Sequence, residues 1–290
     1  MLYTIKNNFI SVTVNDHGAE LWSIKNADGL EYLWQGDPAY WADRSPNLFP
    51  YIGRMINKRY TYKGKSYPMD IHGFALSMDF ELISHTDTEL TLALNSSDAT
   101  KVQYPWNFKF QITYQIRSSK LEIFFSVKNT DNTVMLFAVG GHPGFMVPLT
   151  TGEKFEDYRL RFDGNASPER VIFTEDCFVD TLAPYSFDEN NAIQLRHDLF
   201  DQDAIVLRNT AKKVILENPK GIHSVTVEFP DIEYIGFWHE VKTDAPYVCI
   251  EPWSSLPSAR GAETIWDNQK DLLHLQPQEI YTNKWSITIK

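Results

Sequence analysis

Short β-strand patterns recur along almost the whole chain and leave little room for long helices. Residues 108–116 alternate apolar and polar side chains without a break. In residues 121–127 every second residue, starting from Leu121, is apolar, and these side chains would share one face of a strand. Similar runs, bounded by turn residues, occur at 9–14, 225–229 and 285–289. Many short strands with little helical periodicity favour an all-β fold, a large sandwich of antiparallel sheets.

The connections between these strands refine the prediction. Residues 60–67 resemble a hairpin that turns at Lys63-Gly64, and only 261–269 suggest a short helix. Residues 166–191 are acidic and irregular, so we expect a surface loop there. Because no linker, repeat or low-complexity tract divides the chain, we expect one domain spanning residues 1–290.

Charge and cysteine content narrow the partners. The chain has 27 Lys and Arg against 38 Asp and Glu, a formal charge of −11, and no basic stripe. This acidic balance argues against nucleic acid and anionic membranes as partners. The oligomeric state is left open between a monomer and a homodimer. Cys177 and Cys249 stand far apart, as expected of free thiols in a reducing compartment. With no signal-peptide pattern at the N-terminus, we expect a soluble cytoplasmic protein.

The segment 247–253 combines an apolar strand pattern with a carboxylate. Alternation would place Val248 and Ile250 on one face, and Cys249 and Glu251 on the other. Pro252 has no N–H to donate, so strand pairing is predicted to stop there. Glu251 would then lie at a strand end facing a cleft, as a proton-transfer group or as an ion-paired structural residue.

Four further polar residues lie in segments typical of strand ends or loops. Arg54 follows a glycine in an apolar setting, and His72 precedes a glycine. His142 lies within Gly140-Gly141-His142-Pro143-Gly144, directly after an apolar strand. Asp203 precedes the next apolar run, where it would cap a turn. Each of the four also admits a purely structural role.

Local motifs for other chemistries are missing from the sequence. It contains no Cys-x-x-Cys or His-x-Glu metal pattern, no Gly-x-Ser-x-Gly, no phosphate-binding Walker loop and no dinucleotide fingerprint. We therefore expect no metal and no cofactor. His239 lacks a glycine context and is expected to be structural. Histidine and glutamate remain, which suits proton transfer on a neutral polar substrate.

Together these segments resemble the aldose 1-epimerase (galactose mutarotase-like) family, and most closely its LacX-like branch. The resemblance rests on four motifs in order: Gly53-Arg54-Met55-Ile56-Asn57-Lys58-Arg59, Ile71-His72-Gly73, Gly141-His142-Pro143-Gly144-Phe145 and Cys249-Ile250-Glu251-Pro252. It implies a galactose mutarotase-like β-sandwich whose cleft binds a sugar, without a cofactor. The implied activity interconverts the α and β anomers of a free aldose.

The resemblance also implies a role for each site residue. Glu251 would be the catalytic base and His142 the catalytic acid, while Arg54, His72 and Asp203 would bind the sugar. One or two of the aromatic residues would pack against the sugar ring. The candidates for that contact are Trp34, Trp41, Tyr104, Trp106 and Trp253.

Departures from the family pattern leave alternatives open. Gly141 and Gly144 stand where the family has asparagine and tyrosine, and the segment before His72 is short, so galactose preference does not follow. A basic group of Arg44, Arg54, Lys58 and Arg59 would suit a hexose 6-phosphate. A non-catalytic carbohydrate-binding protein is a further alternative. A glycoside hydrolase or lyase ranks last, because hydrolysis normally uses two acidic residues and only Glu251 is strongly placed.

Overall fold

The computed structural model describes residues 1–164, 166–261 and 264–290. Strands dominate it. They are β1 (Leu2–Lys6), β2 (Ile10–Asn15), β3 (Leu21–Asn26), β4 (Asn47–Leu48), β5 (Arg59–Tyr62), β6 (Lys65–Pro68), β7 (Glu81–His85), β8 (Glu89–Asn95), β9 (Phe108–Arg117), β10 (Lys120–Asn129), β11 (Met135–Phe137), β12 (Gly140–Gly141), β13 (Gly144–Met146), β14 (Arg159–Phe162), β15 (Glu169–Phe173), β16 (Val179–Pro184), β17 (Ala192–Gln194), β18 (Ile205–Arg208), β19 (Lys213–Glu217), β20 (Ser224–Glu228), β21 (Tyr234–Trp238), β22 (Tyr247–Trp253), β23 (Leu273–Leu275) and β24 (Ile280–Ile289). Within these described ranges, helical structure is confined to α1 (Asp98–Lys101) and single 3₁₀ turns at Ile56–Lys58, Ala75–Ser77, Phe155–Asp157, His197–Phe200 and Trp266–Asn268.

Two large sheets form the sandwich. One has nine strands in the order β17-β14-β19-β20-β24-β10-β9-β8-β7, and the other eight in the order β16-β15-β18-β21-β22-β12-β4 with β13 also on β22. Their strand pairs are antiparallel. A three-stranded sheet, β1-β2-β3, and the pairs β5-β6 and β11-β23 complete the fold. The predicted all-β antiparallel sandwich is confirmed.

Side-chain alternation explains the central strands. Along β9 every second residue is buried, and its partner β10 pairs with it over its full length. The buried side chains join one hydrophobic core that extends from Ile5 to Ile289. At about 25 cal/mol per Å² of apolar surface removed from water, this core is the main source of stability. Among the described residues, no helix is long and apolar enough to cross a membrane.

Three sequence predictions about connections have different outcomes. The hairpin at 60–67 is confirmed as β5 and β6, with Lys63 and Gly64 at positive φ in the turn. The helix predicted within 261–269 is only the turn Trp266–Asn268, and residues 262 and 263 lie outside the described residues. The surface loop predicted at 166–191 is wrong. This segment forms β15 and β16 at the edge of the eight-stranded sheet, because Val171 and its neighbours pair with β18 despite the acidic composition.

The prediction that pairing stops at Pro252 is also wrong. Pro252 pairs in register with Ile235, and β22 continues through Trp253. On the opposite edge, the N–H groups of Ile250 and Ser254 donate to the carbonyls of Pro143 and Val139. The missing N–H of Pro252 therefore faces the interruption between β12 and β13, where the ladder needs no donor.

Candidate active site

One cavity opens over the eight-stranded sheet, and all five residues that the sequence singled out line it. Glu251 comes from β22, His142 from the link between β12 and β13, and Asp203 from the segment before β18. Arg54 and His72 come from the loops on either side of the β5-β6 hairpin. The remaining lining residues are Trp41, Asp43, Pro46, Gly53, Ile71, Leu76, Phe173, Cys177, Ala204, Trp238, Trp253 and Pro257.

Glu251 and His142 form a close buried pair. Glu251 Oε2 lies 3.0 Å from His142 Nε2, and Glu251 is 1% exposed. Apart from this contact, neither oxygen of Glu251 nor Nδ1 of His142 has a hydrogen-bonding partner among the described residues. Buried polar atoms are normally paired, so a carboxylate and an imidazole with unused capacity at a cavity wall indicate a place for ligand hydroxyls.

The strand alternation predicted for β22 explains this geometry. Val248 and Ile250 point into the main core, while Cys249 packs in a second cluster with Trp34 and Tyr247 on the same side as Glu251. Opposite Glu251 in the register is Gly236, which has no side chain to cover the carboxylate.

Two opposing effects set the pKa of His142. Burial is the largest single effect and lowers it, but the Glu251 carboxylate, a backbone hydrogen bond and Asp43 together raise it more, so the net pKa lies above the ordinary value of 6.5. The pair therefore places an imidazole with an increased affinity for a proton next to a carboxylate. This is a matched acid and base within hydrogen-bond reach of one another.

His72 has the opposite electrostatics. Burial, the nearby His142 and Arg54 all lower its pKa well below 6.5. The N–H of Gly53 donates to His72 Nδ1 at 3.1 Å, so the proton of the neutral ring is on Nε2. His72 is therefore a neutral N–H donor, and its ring centroid lies 5.4 Å from that of His142.

Backbone geometry fixes the His72 loop. His72 and Gly73 have φ values of 64° and 81°, and a Cβ on Gly73 would lie 2.2 Å from the carbonyl oxygen of Phe49. Gly53 has φ 74°, and its Cβ would lie 2.2 Å from Pro257. Only glycine fits at either position, so the glycine beside each predicted site residue has a direct structural cause.

Asp203 and Arg54 lie on the wall formed with the β15-β16 hairpin. Asp203 Oδ1 accepts from the N–H of Ala204 at 2.8 Å, and the Cys177 thiol lies 2.7 Å from Oδ2. Burial and Asp203 raise the pKa of Cys177 to about 11, so this thiol stays protonated and donates to the carboxylate. Arg54 is exposed at the cavity surface, in contrast to the apolar setting expected from its neighbours.

Aromatic side chains complete the cavity. The ring centroids of Trp41 and Trp238 lie 5.0 and 5.7 Å from that of His142, and Trp253 lies 6.1 Å from His72. Trp41 and Trp253 were among the candidates for sugar stacking. The other three candidates lie outside the cavity lining. The indole N–H of Trp34 donates to the carbonyl of Trp41, and the side chains of Tyr104 and Trp106 donate to backbone carbonyls.

Sequence reasoning missed several lining residues, among them Asp43, Phe173, Cys177 and Trp238. Phe173 and Cys177 come from the hairpin that was mistaken for a surface loop. Nothing in the sequence around Trp238 distinguishes a tryptophan on a cavity wall from one in the core.

The remaining charged candidates have structural partners. Arg44 donates to the Trp22 carbonyl and to Gln35 and stacks on the Trp22 ring, and Lys58 forms an exposed ion pair with Asp70. His239 is fully buried and packs on Phe200 and Tyr247. Burial lowers its pKa to about 4, consistent with the structural role expected for it.

Comparison with known proteins finds similarity along almost the whole chain. The sequence profile of the aldose 1-epimerase family matches residues 1–288. The chromosomally encoded protein LacX of Lactococcus lactis subsp. lactis is 31% identical over 299 aligned positions, covering 100% of this chain and 99% of LacX. A galactose mutarotase related enzyme from Lactobacillus acidophilus is 36% identical with a TM-score of 0.95, covering 100% of this chain and 97% of that one. A galactose mutarotase-like protein from Lactobacillus casei is 30% identical with a TM-score of 0.94, with complete coverage of both chains.

Proposed function

Because this chain belongs to the aldose 1-epimerase family, we propose that it is an isomerase that interconverts the α and β anomers of a free aldose. The observation that carries the proposal is the Glu251–His142 pair. Two carboxylate oxygens without other hydrogen-bonding partners lie beside a raised-pKa imidazole at a cavity wall. We also propose that residues 1–290 act as one domain, which the continuous core supports.

The reaction needs one proton removed and one added. Glu251 takes the proton of the C1 hydroxyl while His142 donates a proton to the ring oxygen, so the C1–O5 bond breaks and the open-chain aldehyde forms. Rotation about C1–C2 and reclosure with the roles reversed give the other anomer. Because O1 and O5 are bonded to the same carbon, the acid and the base must lie close together, which agrees with their separation of 3.0 Å.

The other polar residues bind and orient the sugar. The neutral Nε2–H of His72 donates a hydrogen bond near the ring oxygen, Asp203 accepts from hydroxyls, and Arg54 donates at the cavity surface. Trp41 and Trp253 offer apolar surface to the C–H face of the ring. A positioned acid or base typically contributes about 10²–10⁴ in rate, so this pair is sufficient without a cofactor.

The charge of the cavity favours an unphosphorylated sugar. Of the side chains lining it in the described part of the chain, Asp43, Asp203 and Glu251 are acidic, while positive charge comes from the guanidinium of Arg54 and from the imidazole of His142 when it is protonated. Arg44 and Lys58, which would support a phosphate, are engaged elsewhere. A dianionic phosphate would therefore meet more repulsion than attraction here.

The test is the rate of mutarotation of freshly dissolved α-glucose, α-galactose and their 6-phosphates, followed by polarimetry or NMR. Wild-type protein should accelerate at least one free aldose more than its 6-phosphate, and Glu251→Gln and His142→Asn should both abolish the acceleration. Saturable sugar binding without acceleration would identify a carbohydrate-binding protein instead. Faster turnover of a 6-phosphate would overturn the choice of substrate class.

A further inference from the structure

A third donor atom lies beside the proposed acid and base. The ligand atoms of His142, Glu251 and the Cys249 thiol all lie within 4.8 Å of one another. All three residues are buried, and Cys249 is fully shielded from solvent. The proposed mechanism uses the first two and leaves the thiol without a role. Cys249 lies two residues before Glu251 on the same face of β22. It does not line the cavity itself and packs in the cluster with Trp34 and Tyr247.

One imidazole nitrogen, one thiolate and one carboxylate oxygen form a donor set typical of zinc. Zinc binds nitrogen and oxygen at about 2.0–2.2 Å and sulfur at about 2.3 Å, in tetrahedral geometry. At the tetrahedral angle, such nitrogen and oxygen ligands lie about 3.3 Å apart, close to the 3.0 Å between His142 Nε2 and Glu251 Oε2. The Cys249 thiol lies within 4.8 Å of both ligand atoms and would move closer to complete three ligands.

Two further features favour an ion at this point. Both oxygens of Glu251 and Nδ1 of His142 are buried without other hydrogen-bonding partners among the described residues, so lone pairs are available. A divalent ion, one carboxylate and one thiolate sum to zero charge, so the buried site would gain no net charge. With three protein ligands, the fourth position would face the cavity that His142 and Glu251 line.

We propose that His142, Cys249 and Glu251 form a binding site for a thiophilic divalent cation such as Zn²⁺, and that the bound ion blocks the sugar reaction. Binding forms three metal–ligand bonds and releases two protons to solvent, one from the Cys249 thiol and one from the ligating nitrogen of the His142 imidazolium. The ion occupies the lone pairs that Glu251 and His142 need for proton transfer, so metal and sugar exclude one another. The inhibitory part rests on the proposed function, whereas the binding part does not.

Co²⁺ titration of the metal-free full-length protein tests the binding part without any sugar. Wild type should develop the thiolate-to-cobalt charge-transfer absorption, and Zn²⁺ should displace it. Cys249→Ser should lose the band and bind Zn²⁺ at least 100-fold more weakly. Cys249→Ala, which adds no buried hydroxyl, should behave in the same way. Cys177→Ser is the matched control, because it removes the other free thiol and should keep the band.

Mutarotation assays with added Zn²⁺ test the inhibitory part. Wild type should lose activity, and Cys249→Ser should keep it at the same Zn²⁺ concentration. Because the two ligands exclude one another, the apparent Kd for Zn²⁺ should rise in proportion to aldose concentration without reaching a plateau, and the apparent Kd for the aldose should rise with Zn²⁺ in the same way. Absence of the charge-transfer band, or equal Zn²⁺ affinity in wild type and Cys249→Ser, would overturn the site. A band in a protein that accelerates no sugar would leave the site standing and refute the proposed function.

Discussion

Replacing Glu251 by glutamine tests the central pair most directly, because it removes one charge and keeps the shape of the side chain. At 3.0 Å and an effective dielectric constant of about 20, the gross attraction between the two charges is about 5 kcal/mol. Burial is the largest single effect on the pKa of His142, and Glu251 is the main group that opposes it. In the variant only a backbone hydrogen bond and Asp43 still oppose burial, so the pKa of His142 should fall below 6.5.

The same substitution removes the base, so activity should fall for two reasons. Loss of one positioned proton-transfer group costs about 10²–10⁴ in kcat, which corresponds to about 3–5 kcal/mol of activation free energy. At pH 7 the variant's His142 would also be mostly neutral and unable to protonate the ring oxygen. Affinity for the sugar should change much less than kcat, because the amide still forms hydrogen bonds.

Two measurements follow the two effects. Polarimetry on fresh α-glucose gives kcat and KM, and an NMR titration of the imidazole protons gives the pKa of His142. Glu122→Gln is a suitable control, since Glu122 is a buried, ion-paired glutamate in the nine-stranded sheet and is not part of the cavity lining. A Glu251→Gln protein with kcat within tenfold of wild type, or with an unchanged His142 pKa, would refute the reasoning.

Three further predictions concern stability and binding. His239 has a pKa of about 4 in the fold against about 6.5 when unfolded, so lowering the pH from about 6.5 to about 4 should decrease the free energy of unfolding by up to about 1.4 kcal/mol per pH unit. In urea unfolding, His239→Gln should flatten this pH dependence, and an unchanged slope would contradict the assignment. Gly53→Ala should destabilise by about 1–3 kcal/mol more than Gly64→Ala in thermal unfolding, because both glycines have φ near +75° but only Gly53 would press a Cβ against Pro257; equal losses would refute the packing argument. Asp203→Asn should raise KM about tenfold to a hundredfold in the same polarimetric assay, with little change in kcat, because a hydrogen bond to a charged group contributes about 1.5–3 kcal/mol. A decrease in kcat with unchanged KM would show that Asp203 does not bind the sugar.

Alternation made most of the fold predictable. In β9 and β10 each residue's face follows from its position in the strand, so sequence alone gives both the strand and its buried side. The turn at Lys63-Gly64 was equally local, since positive φ favours glycine. The edge hairpin of β15 and β16 was missed because most of its residues are partly exposed and many are polar or acidic. Val171 is the one buried residue of β15, so the strand lacks a clear alternation of apolar and polar side chains.

The candidate site was predictable as residue types but not as geometry. Glycine contexts and family-like motifs marked Arg54, His72, His142 and Glu251, and each now has a place on one cavity wall. Pro252 was misread because a missing N–H matters only if the neighbouring strand offers a carbonyl, and that depends on the break between β12 and β13. The proximity of His142 to Cys249 and Glu251 was also not visible in local spacing, because His142 comes from the link between β12 and β13 and the other two from β22.

The two cavity histidines show why geometry, and not residue type, decides chemistry. Both occur next to glycine, and no local pattern separates an acid from a neutral donor. A carboxylate 3.0 Å from His142 raises the pKa of that ring, whereas burial, His142 and Arg54 lower the pKa of His72. A proton on His142 therefore adds to the burial that favours a neutral His72, and the pair supplies one proton donor for transfer and one for hydrogen bonding. Any change that neutralises His142 should accordingly raise the pKa of His72 towards its ordinary value, which makes the two roles a single coupled property of the cavity.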